Sequence, residues 1–211
     1  MLEAVVVIFS VAIMIAMLLP ALAVQKMKRA RINCTNNLKQ TGLAFRIWSS
    51  DCTDKYPMAV SVTNGGAMEA VLGGNPMRVF QVMSNELSTP AILICPKDEG
   101  RQRATNFDSL LTAKNVSYFV SADAVESNPS DIMGGDDNFE INSIRVKSGL
   151  LNVLTNTPLG WSAARHKFSG NLMLADGSVQ IAINSELKNW FWPTNDLDLP
   201  TKPVPTRLAI P

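Results

Sequence analysis

Three sets of side chains in this sequence could carry chemistry: a single histidine, three cysteines, and a run of acidic and amide residues. His166 is the only histidine, and nine residues separate it from the pair Asp176-Gly177. An imidazole near a carboxylate can transfer protons in a catalytic site. However, the sequence contains no G-x-S-x-G or H-E-x-x-H pattern that would supply a nucleophile or a zinc site. We therefore expect His166 to have a structural role and the chain not to be an enzyme.

A polar stretch offers oxygen ligands for a hard metal ion. Asp136, Asp137 and Asn138 are consecutive, and Asp123 precedes them in the same stretch. Calcium prefers such carboxylate and amide oxygens, but this spacing is not that of an EF-hand loop. We expect a solvated polar loop over residues 121–142, with calcium binding as the alternative. No other cofactor is predicted, because the sequence has no glycine-rich phosphate loop, no C-x-x-C zinc spacing and no C-x-x-C-H haem motif.

The cysteines are odd in number, so they can form at most one disulfide within the chain. Cys34 and Cys52 lie on one predicted helix, about 27 Å apart along its axis, which is too far for them to pair with each other. Cys95 could reach either of them, and the residues alone leave both pairings open. A disulfide would indicate an oxidising compartment outside the cytosol.

The first element that must position these residues begins with an uncharged run over residues 4–24. In a helix this run rises about 30 Å, the thickness of a bilayer core. It lacks the basic start and small-residue cleavage site of a signal peptide, so we expect it to be retained. An ordinary membrane anchor is one interpretation, but an anchor gains nothing from Glu3 at its edge or from Pro20 inside it. A basic cluster follows the run: Lys26, Lys28, Arg29 and Arg31.

The pattern becomes amphipathic after residue 24. Apolar and small side chains recur at alternating spacings of three and four, which is typical of one buried helix face. The residues on this face are Cys34, Leu38, Thr41, Phe45, Trp48 and Cys52. We predict one N-terminal helix over residues 1–51, about 75 Å long, in a segment 1–52 with a hydrophobic half at 1–24 and an amphipathic half at 25–52.

Residues 53–189 have the shorter patterns of a globular α+β domain. Short helices are predicted at 67–72 and 77–85, and short strands at 91–95 and 116–120. The strongest signal is a hairpin over residues 171–183, where Asp176-Gly177 separates two alternating apolar strands and suits a type I′ turn. We expect an antiparallel sheet that packs on the apolar helix face.

The last segment, 190–211, is rich in proline and is predicted to be extended. Trp190, Phe191 and Trp192 are too apolar for a free linker. They either cover the core of the same domain or contact a neighbouring subunit. The net charge of +1 gives no broad positive field, so nucleic acid is not an expected partner.

These stretches together resemble type IV pilins and type II secretion pseudopilins. The opening helix carries Leu18-Leu19-Pro20-Ala21-Leu22, and Cys34 is followed closely by Asn36-Asn37-Leu38-Lys39-Gln40. Both are typical of a large bacterial group within this family, which also tends to carry histidine, nine residues and then Asp-Gly. Here that H-x9-DG motif is His166 with Asp176-Gly177, and the stretch SYFVSADAVESNPSDIMGGDDNF extends the resemblance through most of the chain.

The resemblance implies an α+β fold of the type IV pilin kind, with a long N-terminal helix packed on a C-terminal antiparallel β-sheet. It implies a structural subunit that polymerises through its hydrophobic helix into an extracellular type IV pilus-like filament. Implied partners are other copies of the chain, the inner membrane before assembly, prepilin peptidase, and the pilus or secretion assembly machinery. One alternative is a pseudopilin that forms a short periplasmic pseudopilus in type II secretion. The other is a membrane-anchored exported domain that binds or catalyses through the region of His166 and Asp176.

The resemblance also implies roles for single residues. Glu3 would pair with the α-amino group of an adjacent subunit and set the register of assembly, although a hydrated carboxylate at the level of lipid headgroups is an alternative. Pro20 would mark a bend or a locally unwound turn, or only a modest kink. Cys34 would pair with Cys95 and leave Cys52 free.

The start of the sequence departs from the family pattern. Glu3 lies two positions nearer to the first residue than the glutamate of the family does, and the leader peptide with its glycine is absent from the sequence. We therefore expect a processed subunit whose first residues are not included in this sequence. The basic cluster after the apolar run would by itself favour a cytoplasmic C-terminal part, so charge alone leaves the topology open.

Overall fold

The structure, a computed structural model, describes residues 2–108, 110–192 and 206–211. Inside the first helix, the side chains at positions 2, 18–24, 26 and 27 lie outside this description. The described α-helices are α1 Leu2–Asp51, α2 Met68–Leu72, α3 Met77–Val82, α4 Ser84–Leu87 and α5 Asn184–Phe191. The described strands are β1 Tyr118–Ser121, β2 Ile132–Asp136, β3 Phe139–Ile141, β4 Ile144–Arg145, β5 Gly149–Val153, β6 Leu159–Trp161, β7 Ser169–Leu174, β8 Val179–Ile183 and β9 Thr206–Ile210. Short 3-10 helices cover Pro57–Ala59, Val62–Asn64, Pro90–Leu93 and Ala113–Asn115.

Helix α1 runs from Leu2 to Asp51, and this confirms the predicted long N-terminal helix. Its second half packs on the domain through the predicted face, of which Cys52 alone is only half-buried. The buried members of that face are Cys34, Leu38, Thr41, Phe45 and Trp48. The periodicity of the sequence therefore identified the buried side of this helix.

The first half of α1 is different, because its described side chains are exposed from Glu3 to Met17. Ile8 is 70% exposed and Met17 is 72% exposed. Taken over the described residues, no helix is both long and apolar enough to cross a membrane. Part of the apolar run, residues 18–24 with Pro20, falls among the side chains that the structure does not describe.

The domain is built on a six-stranded antiparallel sheet in the order β5-β9-β1-β2-β7-β8. Every residue of β1, β2 and β7, three adjacent strands inside the sheet, is buried. The structure thus confirms an α+β architecture with an N-terminal helix and a C-terminal antiparallel sheet.

The two faces of this sheet carry two separate hydrophobic cores. Successive side chains of a strand point to opposite faces, so Val120 joins the core under α1 while Phe119 joins the other. The core under α1 includes Phe45, Phe80 and Met173. The sheet is therefore covered by helices on this face.

A smaller antiparallel sheet, in the order β4-β3-β6, covers the other face together with α5. Phe139 stacks on Trp161 with ring centroids 4.4 Å apart. Phe191 and Trp192 are buried beside them. Of the two alternatives for this aromatic cluster, the structure supports the one in which it covers the core of its own domain.

The C-terminal segment differs from the predicted extended tail over residues 190–211. Helix α5 ends at Phe191, and β9 pairs with β1 on one side and β5 on the other. Helix α5 therefore crosses the boundary predicted at residue 190, and β9 completes the sheet and its second core. The proline-rich stretch between α5 and β9 lies outside the described residues.

Three further predictions are corrected by the structure. Residues 91–95 do not form a strand, because Pro90 and the Thr89 side chain, which accepts a hydrogen bond from the Ala91 N–H, begin a 3-10 helix instead. The predicted polar loop 121–142 contains β2 and β3. At Gly135 a larger residue would not fit, because an added Cβ would lie 2.4 Å from the Asn171 carbonyl oxygen. The glycines of β2 therefore allow close packing of strands and do not form a turn. The helix predicted at 77–85 is divided into α3 and α4, whereas the prediction at 67–72 matches α2 closely.

Candidate functional site

Strand β7 connects the two ends of the H-x9-DG motif. His166 lies before it, and Asp176-Gly177 forms the turn into β8, as the predicted hairpin requires. In the described residues both ends face α1 or the segments bound to it. We build the candidate site from these two ends.

At the first end, His166 is buried between a sulfur atom and a carboxylate. Its Nε2 atom lies 3.4 Å from Cys95 Sγ and 3.5 Å from Asp136 Oδ2. The His166 carbonyl also accepts a hydrogen bond of 2.5 Å from Ser169 Oγ. The Ser169 hydroxyl in turn accepts one of 3.0 Å from Arg31 Nη2 on α1.

Asp136 joins β2 to β7 through its fully buried carboxylate. Asp136 Oδ2 accepts hydrogen bonds from Asn171 N at 2.8 Å and from Asn171 Nδ2 at 2.7 Å. Thr35 on α1 donates to Asn171 Oδ1 at 3.3 Å. A chain of polar contacts therefore runs from the sheet to the helix through a buried region.

Burial determines the electrostatics of this pair. It lowers the pKa of His166, assisted by the nearby charges of Arg31 and Arg165, while Asp136 opposes the change. Burial also raises the pKa of Asp136, although His166 opposes that shift. Both groups are thus displaced toward their neutral forms, because a desolvated charge is unfavourable.

At the second end, the Asp-Gly turn lies close to α1. Gly177 has a φ of 83°, a left-handed conformation that glycine adopts without steric cost. A Cβ at Gly42 of α1 would lie 3.1 Å from Gly177 Cα, so the helix and the turn touch through backbone. Arg46 Nη1 donates to the Asp176 carbonyl at 3.2 Å.

Tyr56 reinforces the same turn from the segment after α1. Its hydroxyl donates a hydrogen bond of 2.6 Å to the Ala175 carbonyl. Burial raises the pKa of Tyr56 to about 12, so the phenol remains a donor near neutral pH. The turn is therefore held by side chains from two neighbouring segments.

A disulfide joins Cys34 of α1 to Cys95, with the two Cα atoms 4.9 Å apart. This is the pairing that the resemblance implied, and Cys52 is free among the described residues. Asn37, one helical turn after Cys34, donates to the Ile94 carbonyl at 2.9 Å. The covalent bond and this hydrogen bond fix the same face of α1.

A network of arginines and aspartates, which sequence reasoning missed, lies beside the histidine. Asp137 is paired with both Arg101 and Arg165, and Asp98 lies 2.7 Å from Arg165. Arg165 is almost fully buried, and the neighbouring carboxylates raise its pKa against the effect of burial. Arg165 directly precedes the motif histidine, but its partners are distant in sequence, so no local pattern could have revealed the network.

The calcium candidates do not share one site. Asp123 pairs with Arg207, Asp137 pairs with the arginines, and Asp136 accepts from Asn171. Asn138 is buried and donates to the Ser162 carbonyl at 3.4 Å. The solvated loop expected here is wrong, because Asp136, Asp137 and Asn138 are each at most 2% exposed. The three carboxylates pair with arginine or asparagine side chains rather than converging on one metal site.

One group of possible metal ligands occurs in the described part of the chain. Donor atoms of Cys34, Cys95 and His166 lie within 4.8 Å of one another. A cysteine binds metal as a thiolate, and both of these sulfurs are in the disulfide. The arrangement is therefore suited to holding β7 and α1 together.

Comparison with protein families, curated proteins and solved structures gave no match for this chain.

Proposed function

We propose that this chain is the structural subunit of a type IV pilus-like filament, polymerised through the hydrophobic half of α1. The observation that carries the proposal is the row of apolar side chains on α1 that the chain leaves exposed, including Val6, Phe9 and Met14. Exposed apolar surface of this extent normally has a lipid or protein partner. Packing against copies of itself supplies such a partner along the whole row.

The carboxylate at the start of this row favours packing against other helices over a simple membrane anchor. Glu3 precedes it and is exposed in the single chain. Inside a bundle of apolar helices, a carboxylate is tolerated only when a cation pairs with it. An α-amino group of the adjacent subunit would provide this cation, and a subunit in the wrong register would leave both charges unpaired.

The contacts of the other half of α1 suit a subunit that bears mechanical load. The Cys34–Cys95 bond, the hydrogen bond from Arg31 to Ser169 and the contact of Gly42 with Gly177 attach this half to the domain at separate positions along the helix. A pull on the helix is then passed to the domain through covalent and buried polar contacts. Such coupling is useful in a polymer whose core consists of the helices.

In this proposal the fold is of the type IV pilin kind, and the apolar half of α1 resides in the inner membrane before assembly. Prepilin peptidase and the assembly machinery would process and insert the subunit, which then becomes extracellular. The same exposed helix would serve a pseudopilin in a short periplasmic pseudopilus, and the length of the polymer separates these two functions.

The test is to shear the surface of cells that produce the protein and to examine the released material by negative-stain microscopy. Long fibres that contain this chain are expected. Glu3→Ala should abolish the fibres while the chain remains membrane-associated, and Glu99→Ala, at an exposed acidic residue of the domain, should leave them unchanged. Detergent-soluble monomers as the only native form, or full fibre yield from Glu3→Ala, would contradict the proposal.

A further inference from the structure

A basic pocket opens beside His166, between α1 and the loops around residues 97–100 and 162–167. Its volume is about 600 Å³, within the range of small-ligand sites. The residues that define it for this argument are Lys28, Arg31, Lys97, Asn138, Arg145 and Lys167. The contacts between β7 and α1 are buried, whereas this pocket is open to solvent.

The charge of the pocket wall is strongly one-sided. Five basic side chains line it besides Arg165, which is paired with Asp98 and Asp137, and Glu99 is the remaining carboxylate. Asp98 is already paired with Arg165 at 2.7 Å, so it does not neutralise the others. Among the described residues, no ion pair forms with Lys97 or Arg145. A concave wall with uncompensated cations concentrates anions.

Two buried polar atoms at the wall also lack partners among the described residues. They are Arg31 Nε and Asn138 Oδ1. Arg31 already donates through Nη2 to Ser169, which holds its guanidinium in place. Buried groups of this kind normally have a partner, and leaving one unpaired is unfavourable. Both atoms are closed to solvent in this structure, so an oxyanion would accept from Arg31 Nε after a small shift of the guanidinium toward the pocket.

We propose that the basic pocket binds a phosphate group. Guanidinium and ammonium groups form short, charge-assisted hydrogen bonds with phosphate oxygens, and both kinds of cation line this pocket. The argument uses only the pocket wall, so it does not depend on whether the chain polymerises.

The position of the pocket allows two sources of that phosphate. Lys28 lies four residues beyond the end of the apolar run at Val24, about 6 Å along the helix axis. A lipid headgroup at the end of the apolar half could reach it, and so could a soluble phosphate ester. The chemistry is the same in both cases, and the experiment distinguishes them.

The test measures inorganic phosphate binding to the full chain in a neutral detergent by titration calorimetry, with chloride holding the ionic strength constant. Saturable binding is expected. The double variant Lys97→Gln/Arg145→Gln should weaken it about tenfold or more, because two charge-assisted contacts are removed. The matched control, Lys39→Gln/Lys55→Gln, removes two exposed lysines outside the pocket and should bind as the unaltered chain does.

A second readout guards against a folding defect in the double variant. Phosphate should raise the midpoint of thermal unfolding of the unaltered chain and of the control, but not of the double variant. Absence of saturable binding by the unaltered chain overturns the proposal. Binding that is equal in the double variant and the control does so too.

The source is then identified with two soluble probes, dihexanoyl phosphatidylglycerol and glycerol 3-phosphate. Tighter binding of the lipid, with displacement of inorganic phosphate, assigns the site to a headgroup. Tighter binding of glycerol 3-phosphate assigns it to a soluble ester. Either result supports a phosphate site, whereas failure of both probes to displace phosphate would show that the pocket does not accept phosphate esters and would overturn the proposal.

Discussion

Asp137 shows how a single residue organises the centre of the domain. Its carboxylate is 2% exposed and pairs with two guanidinium groups, those of Arg101 and Arg165. Buried ion pairs contribute little net stability compared with apolar packing, but removal of one partner leaves an uncompensated buried charge. The arginines therefore depend on this aspartate.

We expect Asp137→Asn to lower the free energy of unfolding by about 3–5 kcal/mol. Urea denaturation of the full chain in neutral detergent measures this difference. Glu99→Gln removes an exposed carboxylate two residues before Arg101, so it should change the free energy of unfolding by less than about 0.5 kcal/mol. Equal effects of the two substitutions would show that the ion pairs do not control stability.

His166 should make stability depend on pH. Because burial lowers its pKa in the folded state, the unfolded chain binds the proton more readily below about pH 6.5, the ordinary imidazole value. The free energy of unfolding should then fall as the pH decreases from about 7 to about 5.5, by up to ~1.4 kcal/mol per pH unit. Asp136 acts in the opposite sense, because its raised pKa makes the folded state bind its proton more readily, so the stability it contributes is lost as the pH rises.

His166→Gln should flatten this pH dependence, and Lys39→Gln should retain it. Both variants keep Asp136, so their difference reports on the imidazole. Urea denaturation at several pH values in that window provides the measurement. Because His166 is the one histidine in the chain, no other imidazole contributes to the difference. Parallel pH profiles for the two variants would mean that His166 titrates equally in the folded and unfolded states.

At the scale of elements, the Cys34–Cys95 disulfide joins α1 to the segment after the 3-10 helix at Pro90–Leu93, across a sequence separation of 61 residues. A cross-link over a long loop restricts the unfolded chain and stabilises the folded one. Cys34→Ser/Cys95→Ser should therefore lower the free energy of unfolding by about 2–5 kcal/mol.

Cys52→Ser is the matched control for the disulfide. Cys52 directly follows the last residue of α1, Asp51, and forms no disulfide in the described residues. It should unfold at nearly the same urea concentration as the unaltered chain. If the double serine variant does the same, the disulfide makes no contribution to stability.

The elements that the sequence predicted well are those with local signals. In α1 apolar residues recur at helical spacing over a long stretch, and Asp176-Gly177 marks the β7–β8 turn by its own conformational preference. Strand β2 was missed because Gly134 and Gly135 read locally as turn residues. Their burial depends on Phe119 and Asn171, which contribute close backbone neighbours from the adjacent strands.

The candidate site was predictable to the same limited extent. The motif identified His166, and the resemblance implied its disulfide neighbours. The partners Asp136 and Asn171 come from different strands, and β-pairing alone brings them together. A polar residue within the apolar hairpin, Asn171, was the one available sign that this strand faces a buried polar group.

At the scale of the whole molecule, α1 divides into a half that stabilises the domain and a half that leaves its apolar surface free. Leu38 is 0% exposed and Ile8 is 70% exposed. Truncating a buried leucine removes packing and leaves a cavity, whereas the same change on an exposed aliphatic side chain does not.

We expect Leu38→Ala to lower the free energy of unfolding by about 2–5 kcal/mol, and Ile8→Ala to change it by less than about 0.5 kcal/mol. Sedimentation after detergent removal should show the reverse order, with self-association weakened by Ile8→Ala. A large loss of domain stability in Ile8→Ala would mean that the first half of α1 also packs on the domain.

Strand β9, at the end of the described chain, is the link between β5 and the rest of the six-stranded sheet. Ala209 pairs with Val120 on one side and with Leu150 on the other, so β5 can join the sheet only after residue 210 has emerged. During synthesis or export from the amino-terminal side, α1 is available long before the surface that must cover its second half. A nascent chain therefore presents the apolar face of this half without its cover until β7 and β8 have been made.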